Sequence, residues 1–149
     1  MHPYLSNFQK TTFMKHKGSI LAFTSQRNEE LMNAYRNAIS NVPFIDIDTV
    51  AEQIANSPCS RFWVSEERAL IIIHALDNKK NILDSMSPMK RELFTEIYSR
   101  VNDLRSTEPA IPIHDIVFRV VNSPAPKFYL QPRCALDIIY KIKNGFYNK

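Results

Sequence analysis

The chain carries nearly the same text twice. Residues 50–78 align without a gap on residues 116–144 at a constant offset of 66, and nine of the 29 pairs are identical. The identities are Asn56/Asn122, Ser57/Ser123, Pro58/Pro124, Phe62/Phe128, Ala69/Ala135, Leu70/Leu136, Ile72/Ile138, Ile73/Ile139 and Asn78/Asn144. Conservative pairs include Arg61/Lys127, Trp63/Tyr129 and Val64/Leu130. Ordinary residue frequencies would give about two identities. A duplication of this length reads as one supersecondary module used twice, so it constrains the fold before any single motif does.

The module is helical. Only two glycines, Gly18 and Gly145, occur in 149 residues, and nine prolines punctuate the chain. Leu31, Ala34, Tyr35 and Ala38 recur at spacings of three and four, which predicts a helix over 28–40, ended by Asn41-Val42-Pro43. A short helix follows, opened by Asp46 or Asp48 and buried through Val50, Ile54 and Ala55. Pro58 forces Ser57 off helical angles, and Phe62 to Val64 favours extended backbone. Ser65 is a good cap for a helix running to Leu76, with Glu66 and Glu67 complementing its dipole. Its Ala69, Leu70, Ile72, Ile73 and Ala75 make it the expected most buried element of the first unit, with His74 a satisfied core histidine.

The second unit repeats the order. Ser87-Pro88 opens a helix with an apolar stripe of Leu93, Phe94, Ile97, Tyr98, Val101 and Leu104. It aligns with the helix at 28–40 at an offset of 62, because Glu30-Leu31-Met32 matches Glu92-Leu93-Phe94; four extra residues then fall in the loop at 106–109. A short helix over 113–121, a second proline-aromatic connector and a helix from Pro132 to Gly145 complete it. The expected fold is all-α: two tandem pseudo-repeats of three helices sharing one core, with the two Ile-rich helices central. The divisions are an irregular basic-aromatic arm at 1–26, a first unit at 27–80, and a second at 81–149 with a basic tail.

Cys59 and Cys134 fall at non-equivalent repeat positions, which predicts two free thiols in a reducing compartment. Ile20 to Phe23 is too short for a signal peptide, and no segment approaches the roughly 20 apolar residues of a membrane span. The expectation is a soluble cytoplasmic protein, or one packaged in a virion assembled there. The net charge of +4 is uneven: residues 1–27 hold four basic residues and no acid, and 127–149 hold five and one. The middle, 28–126, has 10 basic and 14 acidic residues. Positive ends point to a polyanion partner, through Lys10, Lys15 and Lys17 at one end and Lys141 and Lys143 at the other.

The repeated connector is the sharpest local pattern: Ser-Pro, two residues, a cation, two aromatics and an aliphatic. Extended backbone alternates sides, so Phe62 and Phe128 take the core while Trp63 and Tyr129 face outward. In a binding reading Arg61 and Lys127 contact phosphates and Trp63 and Tyr129 stack on bases. In a structural reading the second aromatic packs on the neighbouring helix and the cation stays in solvent. A helix-turn-helix is a poor match, because its turn of about three or four residues is half the length of this connector. The units differ at Glu67/Arg133, Ile71/Asp137 and His74/Tyr140, so one copy is expected to have kept a binding surface.

No catalytic, metal-binding or cofactor pattern emerges. His2, His16, His74 and His114 share no ligand spacing, and Gly18 stands alone, so no loop cradles phosphate. Cys59 beside Arg61 has no indicated base. The chain is expected not to be an enzyme.

The strings Asn122 to Leu130 and Arg61 to Ala69 resemble a motif of short uncharacterised proteins of gut anaerobic bacteria and of their phages and mobile elements. The resemblance covers those two stretches and implies context only, with no activity. The functional expectation is a non-enzymatic helical protein of a phage or mobile element. It contacts nucleic acid or a nucleoprotein assembly through Arg61, Trp63, Lys127, Tyr129 and the basic ends. The alternative is a structural or assembly component docking on phage or host proteins, including copies of itself, with no membrane partner.

Overall fold

A computed structural model of the chain describes residues 12–40 and 42–148; for 12–22 and 148 it describes the backbone alone. The described residues form six α-helices and no strand. These are α1 (Thr12–Ser40), α2 (Ile47–Ala55), α3 (Glu66–Asp77), α4 (Pro88–Thr107), α5 (Ile113–Val121) and α6 (Pro132–Lys143). Short 3-10 turns lie at Ile82–Ser85 and Phe146–Asn148.

Local chemistry sets the boundaries. Ser65 Oγ accepts the Arg68 amide at 3.1 Å and starts α3. Prolines occupy the first turns of α4 and α6, where a missing N–H costs nothing. Asn56, Asn78, Asn122 and Asn144 each cap a helix C-terminus. After Asn144, Gly145 takes φ 74°, the left-handed turn that favours glycine. Asp46 does sit at the α2 N-cap, but its carboxylate accepts from Thr49 Oγ1 at 2.7 Å and bonds no helix amide.

The helices pack in two sets of three. α1, α2 and α6 pack together, as do α3, α4 and α5, and among the described residues no helix of one set packs on a helix of the other. Each set therefore takes two helices from one sequence unit and the last helix from the other. The chain leaves the first set through 56–65 and returns through 122–131. Where these connectors cross, Cys59 and Ala125 form an antiparallel bridge, each amide donating to the other's carbonyl at 3.0 Å. One continuous core runs through the crossing, from Leu31 and Ile54 through Phe62 and Phe128 to Ile97 and Val117.

Three expectations are corrected. The Ile-rich helices α3 and α6 are not central: they belong to different sets and do not touch. α3 turns one face to solvent, leaving Ile71 58% exposed and His74 exposed rather than in the core. The helix expected at 28–40 begins at Thr12, so 12–26 is no irregular arm; residues 1–11 lie outside the described residues. Once Leu31, Tyr35 and Ala38 anchor α1, each residue added upstream gains a backbone hydrogen bond without a new nucleus.

Candidate functional site

The four connector residues singled out in the sequence gather around the crossing. Phe62 is fully buried and stacks on Tyr129 with centroids 6.0 Å apart; Phe128 stacks on Trp63 at 6.2 Å and an interplanar angle of 10°. Each core phenylalanine thus packs on the outer aromatic of the opposite connector. Reciprocal backbone bonds accompany the rings: Phe62 N–H donates to Val121 O at 2.9 Å, and Phe128 N–H to Ala55 O at 3.2 Å. Tyr129 adopts φ 58°, a costly conformation for an aromatic residue, on the order of 1–3 kcal/mol, sustained by the surrounding packing.

Trp63 and Tyr129 are half-buried. The Trp63 indole N–H donates to Cys59 Sγ at 3.2 Å, and Phe23 of α1 lies 6.4 Å from its ring. Arg61 donates through Nε to Phe62 O (2.9 Å), and through its terminal nitrogens to Val64 O (2.7 Å) and Asn122 Oδ1 (3.3 Å). Asn122 in turn donates to Glu66 Oε2 at 3.0 Å, tying the α5 C-terminus to the α3 N-terminus. Burial lowers the Arg61 pKa, partly offset by Glu66. Lys127 pairs with Glu92 of α4 and sits 5.5 Å from the Tyr129 ring centroid. A groove of about 590 Å³ opens beside this pair, with Arg91, Glu92, Glu96 and Pro126 among its lining.

The crossing is chemically quiet. Burial pushes the Cys59 thiol up to about 11, so it stays protonated and a poor nucleophile at neutral pH. Desolvation pushes the Tyr129 phenol up to about 12. Both cysteines are free. No group of three or more His, Cys, Asp or Glu among the described residues is arranged to hold a metal ion.

The predicted basic ends fare differently. Lys10 lies outside the described residues, and Lys15 and Lys17 fall on α1 where only the backbone is described. Lys143 Nζ donates to Tyr35 Oη at 3.2 Å and lies over its ring, while Lys141 lies 5.2 Å from the Phe146 ring centroid. Arg27 of α1 donates to Asn28 Oδ1 at 2.9 and 3.2 Å, and burial lowers its pKa, partly offset by nearby Tyr147. Arg27, Lys141 and Lys143 are thereby interleaved with Tyr35, Phe146 and Tyr147 along α1 and the end of α6. The sequence counted Arg27 as charge only and did not place it there.

Sequence reasoning missed a third surface. The loop between α1 and α2 holds Phe44 79% exposed and Ile45 53% exposed, flanked by exposed Val42 and Ile47. Asp46, Asp48 and Glu52 are exposed beside them. The apolar run around Pro43 is the available signal, masked by the reading of Asn41-Val42-Pro43 as a helix stop. At an offset of 66 the equivalent loop keeps Pro109, Ile111 and Ile113 but has Ala110 in place of Phe44, and both isoleucines pack against the core.

Comparison with protein-family models, curated proteins and solved structures finds no match for the chain. Among the described residues no helix is long and apolar enough to cross a membrane.

Proposed function

We propose that the chain is a non-enzymatic docking module of a phage or mobile-element assembly, built from two copies of one helical unit related by an approximate twofold axis through the Cys59–Ala125 bridge. Support for the symmetry comes from α2 and α5, both nine residues, and α3 and α6, both twelve, which start 66 residues apart. The reciprocal Phe62/Tyr129 and Phe128/Trp63 stacks agree with it.

The observation that carries the docking reading is the loop at Phe44. Soluble chains seldom expose contiguous bulky apolar side chains without a partner to cover them. The repeated motif supplies a matching negative: the functional groups of Arg61, Trp63, Lys127 and Tyr129 are spent on contacts within and between the connectors and with Glu92 of α4. A base-stacking platform needs an open ring face, and Trp63 gives one face to Phe128.

A second reading, nucleic-acid contact through the ends, is favoured by one observation: the cations Arg27, Lys141 and Lys143 alternate with aromatic rings, as on surfaces that bind single strands. Fluorescence anisotropy of labelled duplex DNA, single-stranded DNA and RNA separates the readings. The docking reading expects weak binding even at low salt. Micromolar binding with a steep salt slope, abolished in the Lys141→Glu/Lys143→Glu variant, would replace it with the nucleic-acid reading.

A further inference from the structure

We infer that the partner of the exposed loop is a second copy of this chain, whose groove between α3 and the start of α4 receives Phe44 head to tail. This rests on the docking reading above. The groove encloses about 510 Å³ and is lined by Arg68, Ile71, Ala75, Ile82, Met86 and Lys90, among others. Its lining mixes apolar side chains with Ser85, Ser87 and the cations Arg68 and Lys90, whereas the loop is apolar with an acidic flank of Asp46, Asp48 and Glu52. Among the described residues neither Arg68 nor Lys90 makes an ion pair, and neither does Asp46 or Asp48. Two surfaces that each expose apolar side chains and carry opposite charge attract and orient one another.

The fold prevents a chain from satisfying itself. The loop belongs to the set α1, α2, α6 and the groove to the set α3, α4, α5, and no helix of one packs on the other. The repeat also isolates the two features. Ala110 stands where Phe44 would be in the second unit, and Asp137 stands where Ile71 would be. Each surface therefore exists once per chain. A single knob and a single hole on different faces give a heterologous contact, which propagates unless its rotation closes a ring.

Sedimentation velocity and light scattering over about 10 µM to 1 mM test this on the full chain. Wild type is expected to grow beyond the 17.3 kDa monomer with concentration, and less so at high salt. Phe44→Glu and Ile71→Asp are each expected to weaken self-association by roughly thirtyfold or more, as for a central interface residue. Both sites are exposed, and Asp already occupies the position equivalent to 71, so circular dichroism should show both folded. The mixture decides. Phe44→Glu keeps its groove and Ile71→Asp keeps its loop, so an equimolar mixture forms a dimer and stops at twice the monomer mass. A wild type that stays monomeric at 1 mM, association that survives either variant, or a mixture that stays monomeric overturns the inference. A photo-crosslinker at residue 44 separates this failure from that of the docking reading. Adducts that map to a different protein, and none to residues 68–90 of this chain, leave docking standing with another partner. Absence of any adduct sinks both.

Discussion

Replacing Trp63 with alanine discriminates a joint from a binding platform. The ring is half-buried, stacked on Phe128 at 6.2 Å, approached by Phe23 at 6.4 Å, and hydrogen-bonded to Cys59. A buried tryptophan removes about 150–250 Å² from water. At about 25 cal/mol per Å², discounted for a side chain that stays partly wet, that amounts to roughly 2 kcal/mol. The offset stack adds about 1 kcal/mol. The expected loss is about 3 kcal/mol, or a Tm lower by about 6–12 °C for a domain of this size. Circular dichroism at 222 nm in a urea or thermal series reads it. Trp63 is the sole tryptophan, so its fluorescence in wild type reports on the joint itself. Tyr140→Ala on the exposed face of α6 is the control, expected within about 0.5 kcal/mol. A Trp63→Ala loss no larger than this control would refute the structural assignment and return Trp63 to the surface role.

Four further outcomes follow from the same contacts. Iodoacetamide at pH 8 should label exposed Cys134 readily and buried Cys59 only after unfolding, read by intact mass. Because folding raises both the Cys59 thiol and the Tyr129 phenol, their contribution is fully present below pH 9. It is lost as pH climbs from about 9 to about 11 for Cys59 and from about 10 to about 12 for Tyr129. Cys59→Ala, which borrows the residue at the equivalent position 125, should flatten the first window in urea titrations. Asp77 links α3 to α4, accepting two bonds from Arg105 (3.0 and 2.7 Å) and one from Tyr98 (2.9 Å), and its pKa is lowered mainly by the Arg105 bond. The pair is partly exposed, so Asp77→Asn should cost about 1 kcal/mol. That contribution stands above about pH 4 and fades as pH falls through the lowered value, so wild type and variant should converge in acid. A chain divided between residues 80 and 81 leaves each piece without the helix the other supplies. The pieces should be largely unfolded apart and recover helical signal together, and a folded monomeric 1–80 piece would count against the exchange.

Much of the helix pattern was legible because its signals are local. Ser65, Pro88, Pro132 and Gly145 act within one turn, and alternation along the connector put Phe62 and Phe128 inside. The exchange of α3 and α6 was not legible, for a physical reason. An apolar stripe such as Ala69, Ile72 and Ile73 declares that a face is buried but not which copy buries it, and both pairings demand the same residues. Trp63 looked available because the ring that covers it, Phe128, lies 65 residues away.

The joint and the surface place opposite demands on a duplicated sequence. Positions at the crossing must serve a reciprocal contact, so Phe62 and Phe128 stay identical and Trp63 and Tyr129 stay aromatic. The fold alone accounts for their recurrence, and a partner need not be invoked for them. Several positions where the units part company behave otherwise: Glu67/Arg133, Ile71/Asp137, His74/Tyr140 and Phe44/Ala110 are all exposed. Neither copy of the core requires these residues, and an exposed isoleucine or phenylalanine adds nothing to stability that a polar residue would not. In such a chain the repeated motif explains how it folds. What it binds is to be sought where the two copies differ, which puts Phe44 and Ile71 ahead of Trp63 and Tyr129.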